Sequence, residues 1–194
     1  MLRVGIAHHL GWAVAVTADA DHRVVDRRRI ELIEPGQPEA PVHHVGGPWA
    51  MHQPAEPIDD GTLAALVAEV RASAQRAAAA ALDELAAAVA EPIVSLSVRD
   101  WPAGFPTDVA TLRQVPYEAQ ADSVMYRQVL AELAAERGWA VHRFEAKDAE
   151  AEAAQLLGER ADDVLRGPRA ALGPPWAKDH RLALAATVLA AAGA

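Results

Sequence analysis

Residues Arg3–Val16 read RVGIAHHLGWAVAV. Two short apolar runs flank a tight turn containing Gly11, which predicts a pair of strands at Leu2–Ala7 and Trp12–Ala18. The mouth of that turn carries Ala7, His8 and His9. An α/β enzyme that opened this way would be expected to carry a carboxylate there. The stretch therefore poses two questions, one of fold and one of chemistry.

Outward from the hairpin, Asp19-Ala20-Asp21 forms a turn into a third strand, Arg23–Ile33. Its alternation of Arg27, Arg29 and Glu31 with Arg28, Ile30 and Leu32 leaves at least one wet face. Short connections make the three strands an antiparallel meander. Residues 34–60 then break the pattern with repeated prolines, Gly46-Gly47, and His43, His44 and His52. A loop this long is usually functional or mobile. Asp59 or Asp60 caps the helix that follows. Its apolar stripe runs through Leu63, Leu66, Val67, Val70, Ala74, Ala77, Ala81, Leu82, Leu85 and Val89. Ile93–Val98, just after Pro92, is a continuous apolar run and reads as a buried parallel strand. Asp100–Glu118 is an irregular excursion. Ala121–Arg137 is a second helix stopped by Gly138, and Trp139–Phe144 a further strand. Ala149–Gly158 and Asp162–Leu172 are short helical pieces, and Lys178–Ala192 is a terminal helix. The order predicts an α/β protein with a mixed sheet, three antiparallel N-terminal strands followed by two parallel ones, and helices on both faces. One domain over residues 1–194, interrupted by the Pro/His-rich loop at 34–60, is the simplest organisation.

Composition narrows the chemistry. Of 194 residues, 52% are hydrophobic and 23% charged, the profile of a globular chain. There is no cysteine, so disulfides, thiol catalysis and cysteine zinc sites are excluded. No basic stretch leading into an apolar run opens the chain, and no uncharged apolar run is long enough to span a bilayer. The expectation is a cytoplasmic protein with no membrane contact. The net charge of −9 disfavours a broad nucleic-acid interface, although a local basic patch remains compatible with one.

Three stretches together resemble the Holliday-junction resolvase branch of the ribonuclease-H-like superfamily. VGIAHHLGWAVAV resembles that branch's opening, in which "GID" precedes a Gly-containing turn. Ala121-Asp122-Ser123 with VMYRQVLAELAAERGWAV resembles the helix and strand after its second acidic position. Lys178–Ala185, KDHRLALA, resembles its last helix, which carries paired aspartates before an Ala-Leu-Ala run. The resemblance implies a nuclease whose carboxylates hold two Mg²⁺ ions roughly 3.5–4 Å apart. The residues depart from that pattern. The first-strand Asp position falls on Ala7, beside His8. The Glu position at the end of the fourth strand falls near Arg99, with Asp100 one residue along. The two terminal Asp positions become Asp179 and Leu182.

Two function classes follow. The first is a resolvase-type domain that has lost its two-metal site and acts in binding or as a structural element. The second is a metal-dependent nuclease or phosphodiesterase with rearranged ligands. His8, Asp100 and Asp179 are the catalytic candidates. His8, His9, Asp179 and His180 are the candidate metal ligands, for Mn²⁺, Zn²⁺ or Mg²⁺; imidazole donors favour the transition metals. Against these stand plainer readings: His8 and His9 as turn residues, and Asp179 as a helix cap. His43, His44 and His52 form either a lid cluster or a solvated loop. Asp19, Asp21 and Asp26 read as a polar hairpin tip before they read as a calcium loop. Arg23, Arg27, Arg28 and Arg29 either contact phosphates or pair with Asp26, Glu31 and Glu34. Tyr126 and Arg127 either project into a site or form the polar margin of a packed helix. Met125 and Val129 add a second apolar flank to that helix, the pattern of a face covered by a partner subunit in a homodimer.

Overall fold

The computed structural model describes residues 1–47 and 58–193. His52, one of the three histidines of the lid reading, lies outside the described residues. Strands β1 (Leu2–His8), β2 (Trp12–Ala18), β3 (Val24–Glu31), β4 (Ile93–Arg99) and β5 (Ala140–Phe144) form one sheet in the order β3-β2-β1-β4-β5. The first three are antiparallel, and β4 and β5 run parallel to β1. This is the mixed sheet of the ribonuclease-H-like fold.

The β1–β2 turn closes with His9 N–H donating to the Trp12 carbonyl at 2.8 Å, and Gly11 takes the left-handed conformation with φ +76° that a side chain would resist. At the β2–β3 tip, Asp19 Oδ1 accepts from the backbone N–H of Asp21 and Arg23, both at 2.9 Å. That is a polar turn, in which a short side chain replaces backbone partners. Two of the arginines of β3 are paired locally, Arg28 with Asp26 at 2.8 Å and Arg29 with Glu31 at 2.7 Å, while Arg27 donates to the Leu172, Gly173 and Pro175 carbonyls. Glu34 is held by Arg76 of the following helix instead. Charged pairs of this kind blunt an edge strand, the position β3 occupies.

Helix α1 (Asp60–Ala88) is capped by Asp59, whose carboxylate accepts from Thr62 N–H at 3.0 Å. It buries Leu63, Val70, Ala74, Ala78, Leu82 and Leu85 on the expected stripe. The excursion after β4 contains one short helical turn, α2 (Val109–Leu112), capped by Asp108. Helix α3 (Glu118–Glu136) starts three residues earlier than the apolar pattern suggests. Met125 and Val129 sit in the chain's own core with residues of α1 and β4, so the second flank of α3 is covered from within and gives no ground for a partner subunit. Tyr126 and Arg127 are no polar margin either, being 1% and 4% exposed. After α4 (Ala149–Leu157), the chain divides into α5 (Ala161–Leu165) and α6 (Pro168–Leu172). Pro168 lacks the N–H that would continue the helix from α5.

Two cores separate across the sheet. Leu2, Val4 and Ile6 of β1 pack with α1 and α3, while Ala7 packs with α7 (Lys178–Ala192) on the other face. Gly5 shows how tightly α7 is seated. A Cβ built there would lie 1.8 Å from the carbonyl oxygen of Ala183. Backbone, unlike a side-chain tip, has little room to yield. Gly5→Ala is therefore expected to destabilise by at least about 1–3 kcal/mol. Thermal unfolding should register a drop of several degrees, at about 2–4 °C per kcal/mol for a chain of this size. An unchanged melting temperature would show that α7 is free to retreat from the strand.

Candidate functional site

A cleft of about 310 Å³ opens at the carboxyl ends of the parallel strands, where open α/β sheets build their sites. β1 supplies Ala7 and His8, with His9 and Leu10 following; β4 supplies Arg99, β5 Phe144, α3 Ser123, and α7 Asp179 and Leu182. Strand alternation sorts the two histidines. Successive side chains leave a strand on opposite faces, so His8 follows Ile6 toward α3, and His9 follows Ala7 toward α7. His8 Nε2 lies 3.1 Å from Ser123 Oγ. His9 Nε2 lies 3.0 Å from Asp179 Oδ2, and its ring stacks on Trp12 at 4.0 Å with an 8° interplanar angle. Neighbours on a helix are likewise turned about 100° apart. His180 consequently leaves the cleft: its Nδ1 accepts from Ala177 N–H at 3.3 Å, and its ring lies 5.5 Å from that of Trp176.

The four candidate ligands His8, His9, Asp179 and His180 thus come together only as the pair His9–Asp179. Among the described residues no three of His, Asp or Glu are grouped to hold one ion. Asp100 is not part of the cleft lining. Its carboxylate pairs with Arg143 at 2.5 Å, and its backbone oxygen accepts from the Arg127 guanidinium. Among the described residues, Asp179 is the one carboxylate that lines the cleft. Two Mg²⁺ ions demand a set of oxygen ligands that this lining does not supply.

Ser123 lines the cleft, and Arg127, read from the sequence as either projecting into a site or forming a helix margin, is buried against it. Ser123 and Arg127 stand four apart on α3 and so share a face. Arg127 donates from Nη2 to Ser123 Oγ at 3.0 Å and from Nε to the Ser123 carbonyl at 3.0 Å. Burial, and then the Arg99 charge, push Arg127 down to about 10. Burial also dominates at His8, followed by the charges of Arg127, Arg99 and His9, and together they push it down to about 3. His8 is accordingly a neutral imidazole at physiological pH. Tyr126, beside Arg127, turns away from the cleft and donates to the Glu39 carbonyl at 2.9 Å.

Next to Ser123, Asp122 serves the long loop. It accepts from Val42 N–H at 3.1 Å and His43 N–H at 2.9 Å, pinning the π-helical turn at Pro41–Gly46. Burial raises the pKa of Asp122 against the opposing effect of those bonds. One turn earlier, Glu118 meets His43 Nδ1 at 2.5 Å. The described part of the loop is thus anchored to α3, with His43 held by Glu118 rather than by His8 or His9.

No protein-family model and no curated protein matches the chain. The geometry just described belongs to an α/β protein of the ribonuclease-H-like fold. Among solved structures it is similar to T. thermophilus RuvC in complex with a Holliday junction substrate, with a TM-score of 0.52 and 13% identity, covering 100% of this chain and 96% of that one. At that identity the likeness is one of fold.

The neutral state of His8 has a consequence for stability. The folded protein holds His8 below its ordinary value of 6.5, so the unfolded chain binds the extra proton. The stabilisation is complete above pH 6.5 and is lost as pH falls toward 3. Between pH 7 and pH 5, wild type is expected to lose about 1–2 kcal/mol more than His8→Gln. Urea unfolding at the two pH values measures the difference; equal losses would mean that His8 is protonated in the folded state.

Proposed function

We propose that this protein is a resolvase-type domain that binds without cutting. The observation that carries the reading is the character of the charges beside His8, where Arg127, Arg99 and His9 all oppose a further positive charge. A two-metal nuclease concentrates carboxylates at the ends of its first and fourth strands, and Ala7 and Arg99 stand there instead. Of the two carboxylate positions on the last helix, Asp179 keeps its acid and Leu182 does not. Losing these ligands removes metal-ion stabilisation of the transition state, worth several kcal/mol. The likeness to a resolvase bound to a Holliday junction makes a phosphate-bearing partner the natural one to test. The net charge of −9 confines such contact to a local patch.

The test is cleavage. Four-way-junction and duplex DNA incubated with the protein in Mg²⁺ or Mn²⁺ should stay intact at the background rate, and Asp179→Asn should behave as wild type does. Robust metal-dependent cleavage that disappears in Asp179→Asn would establish the metal-dependent nuclease instead.

A further inference from the structure

The floor of the cleft is suited to an anion. Arg127 is 4% exposed, and its hydrogen bonds go to the carbonyls of Ser123 and Asp100 and to Ser123 Oγ, all neutral acceptors. Among the described residues no carboxylate forms an ion pair with it; the nearby Asp100 carboxylate is taken by Arg143. Neutral hydrogen-bond acceptors leave the charge of this buried guanidinium only partly balanced, by the carboxylates of Asp100 and Glu145, with which it forms no ion pair among the described residues. Arg99 stands exposed at the cleft wall and, among the described residues, makes no hydrogen bond or ion pair. Ser123 Oγ must accept from Arg127, because a guanidinium has no acceptor. The serine hydroxyl hydrogen is then left to His8 or to a ligand in the cleft. Asp179, the one carboxylate among the described lining residues, is already engaged by His9.

We infer that this cleft is a phosphate-group site, in which Arg99 pairs with the phosphate oxygens above Ser123 and His8, with the buried Arg127 behind Ser123. An arginine fork suits the several oxygens of a phosphate, which it meets through two parallel hydrogen bonds. A volume of about 310 Å³ admits a phosphate together with part of the group it esterifies. The inference rests on the non-cleaving reading above, since a metal centre would need carboxylates where these guanidiniums stand. Free phosphate, a phosphomonoester and the diester of a nucleic-acid strand share the chemistry.

Calorimetry on the full chain tests the site with inorganic phosphate, for wild type, Arg99→Ala, Arg99→Lys and Arg169→Ala. Arg99 is exposed and unpaired, so its variants should keep the wild-type melting temperature. Wild type should bind, Arg99→Ala should bind about tenfold more weakly or worse, and Arg99→Lys should fall between them. Arg169→Ala, at an exposed arginine of α6 outside the cleft lining, should match wild type. Absence of phosphate binding, or binding indifferent to Arg99, would overturn the inference while leaving the non-cleaving reading intact. Metal-dependent DNA cleavage would overturn that reading instead. A second arm names the source. If a short oligothymidylate competes with phosphate in wild type and not in Arg99→Ala, the ligand is a diester strand; if phosphate binds and the oligonucleotide does not compete, it is free phosphate or a monoester.

Discussion

The carbonyl of Ala183 pressed against Gly5 is the contact on which the rest of the arrangement depends. It lets α7 lie directly on β1 with no side chain between them. Ser97 Oγ of the adjacent strand donates to the Ala186 carbonyl at 3.2 Å and ties the same helix one strand further along. Close seating of this kind needs small residues, and α7 presents Ala183, Ala185 and Ala186, all fully buried. Because the helix runs back along the strand from this point, its first turn arrives at the strand's carboxyl end. Asp179 reaches His9 for that reason. The alanine-rich composition of the last helix is thus a packing requirement with a consequence at the cleft.

On the opposite face, α3 performs two tasks with neighbouring residues. Asp122 turns toward the long loop and satisfies two backbone N–H groups, while Ser123 turns toward His8. Buried carboxylates are costly unless hydrogen-bonded, and those two bonds are what make Asp122 tolerable there. Arg113 adds a third tie by donating to the Gly46 carbonyl at 2.9 Å. The loop edge and the cleft floor are consequently fixed by the same helix.

The chemistry of the cleft follows from which charges are buried and which are answered. Charge interactions are stronger where water is excluded, so Arg127 acts on His8 more than an exposed guanidinium would. Arg143, by contrast, is paired with the Asp100 carboxylate. The charges that act on His8 are those of Arg127, Arg99 and His9, with no carboxylate among them. This is the reverse of what the strand ends of a two-metal nuclease require.

Much of the fold was legible along the chain. Short connections and alternating apolar residues specify the meander, the stripe from Leu63 to Leu85 specifies α1, and the apolar run at Ile93–Val98 specifies an interior strand. Even the separation of His8 from His9 was implicit, since the two-residue period of a strand sends neighbours to opposite faces. The same period, and the turn between helical neighbours, set His8 apart from His9 and His180 apart from Asp179. What the linear order did not contain is which distant side chains would meet. Ser123 lies 115 positions from His8, and Asp179 170 positions from His9. Nor did it mark Arg127 as buried, because a polar residue beside an apolar stripe reads as a margin until α1, β4 and the loop close over it. Periodicity determined the elements and their faces; the seating of α7 on Gly5 and of α3 against the sheet decided the site, because side-chain contacts depend on how the elements pack and only the folded chain sets that.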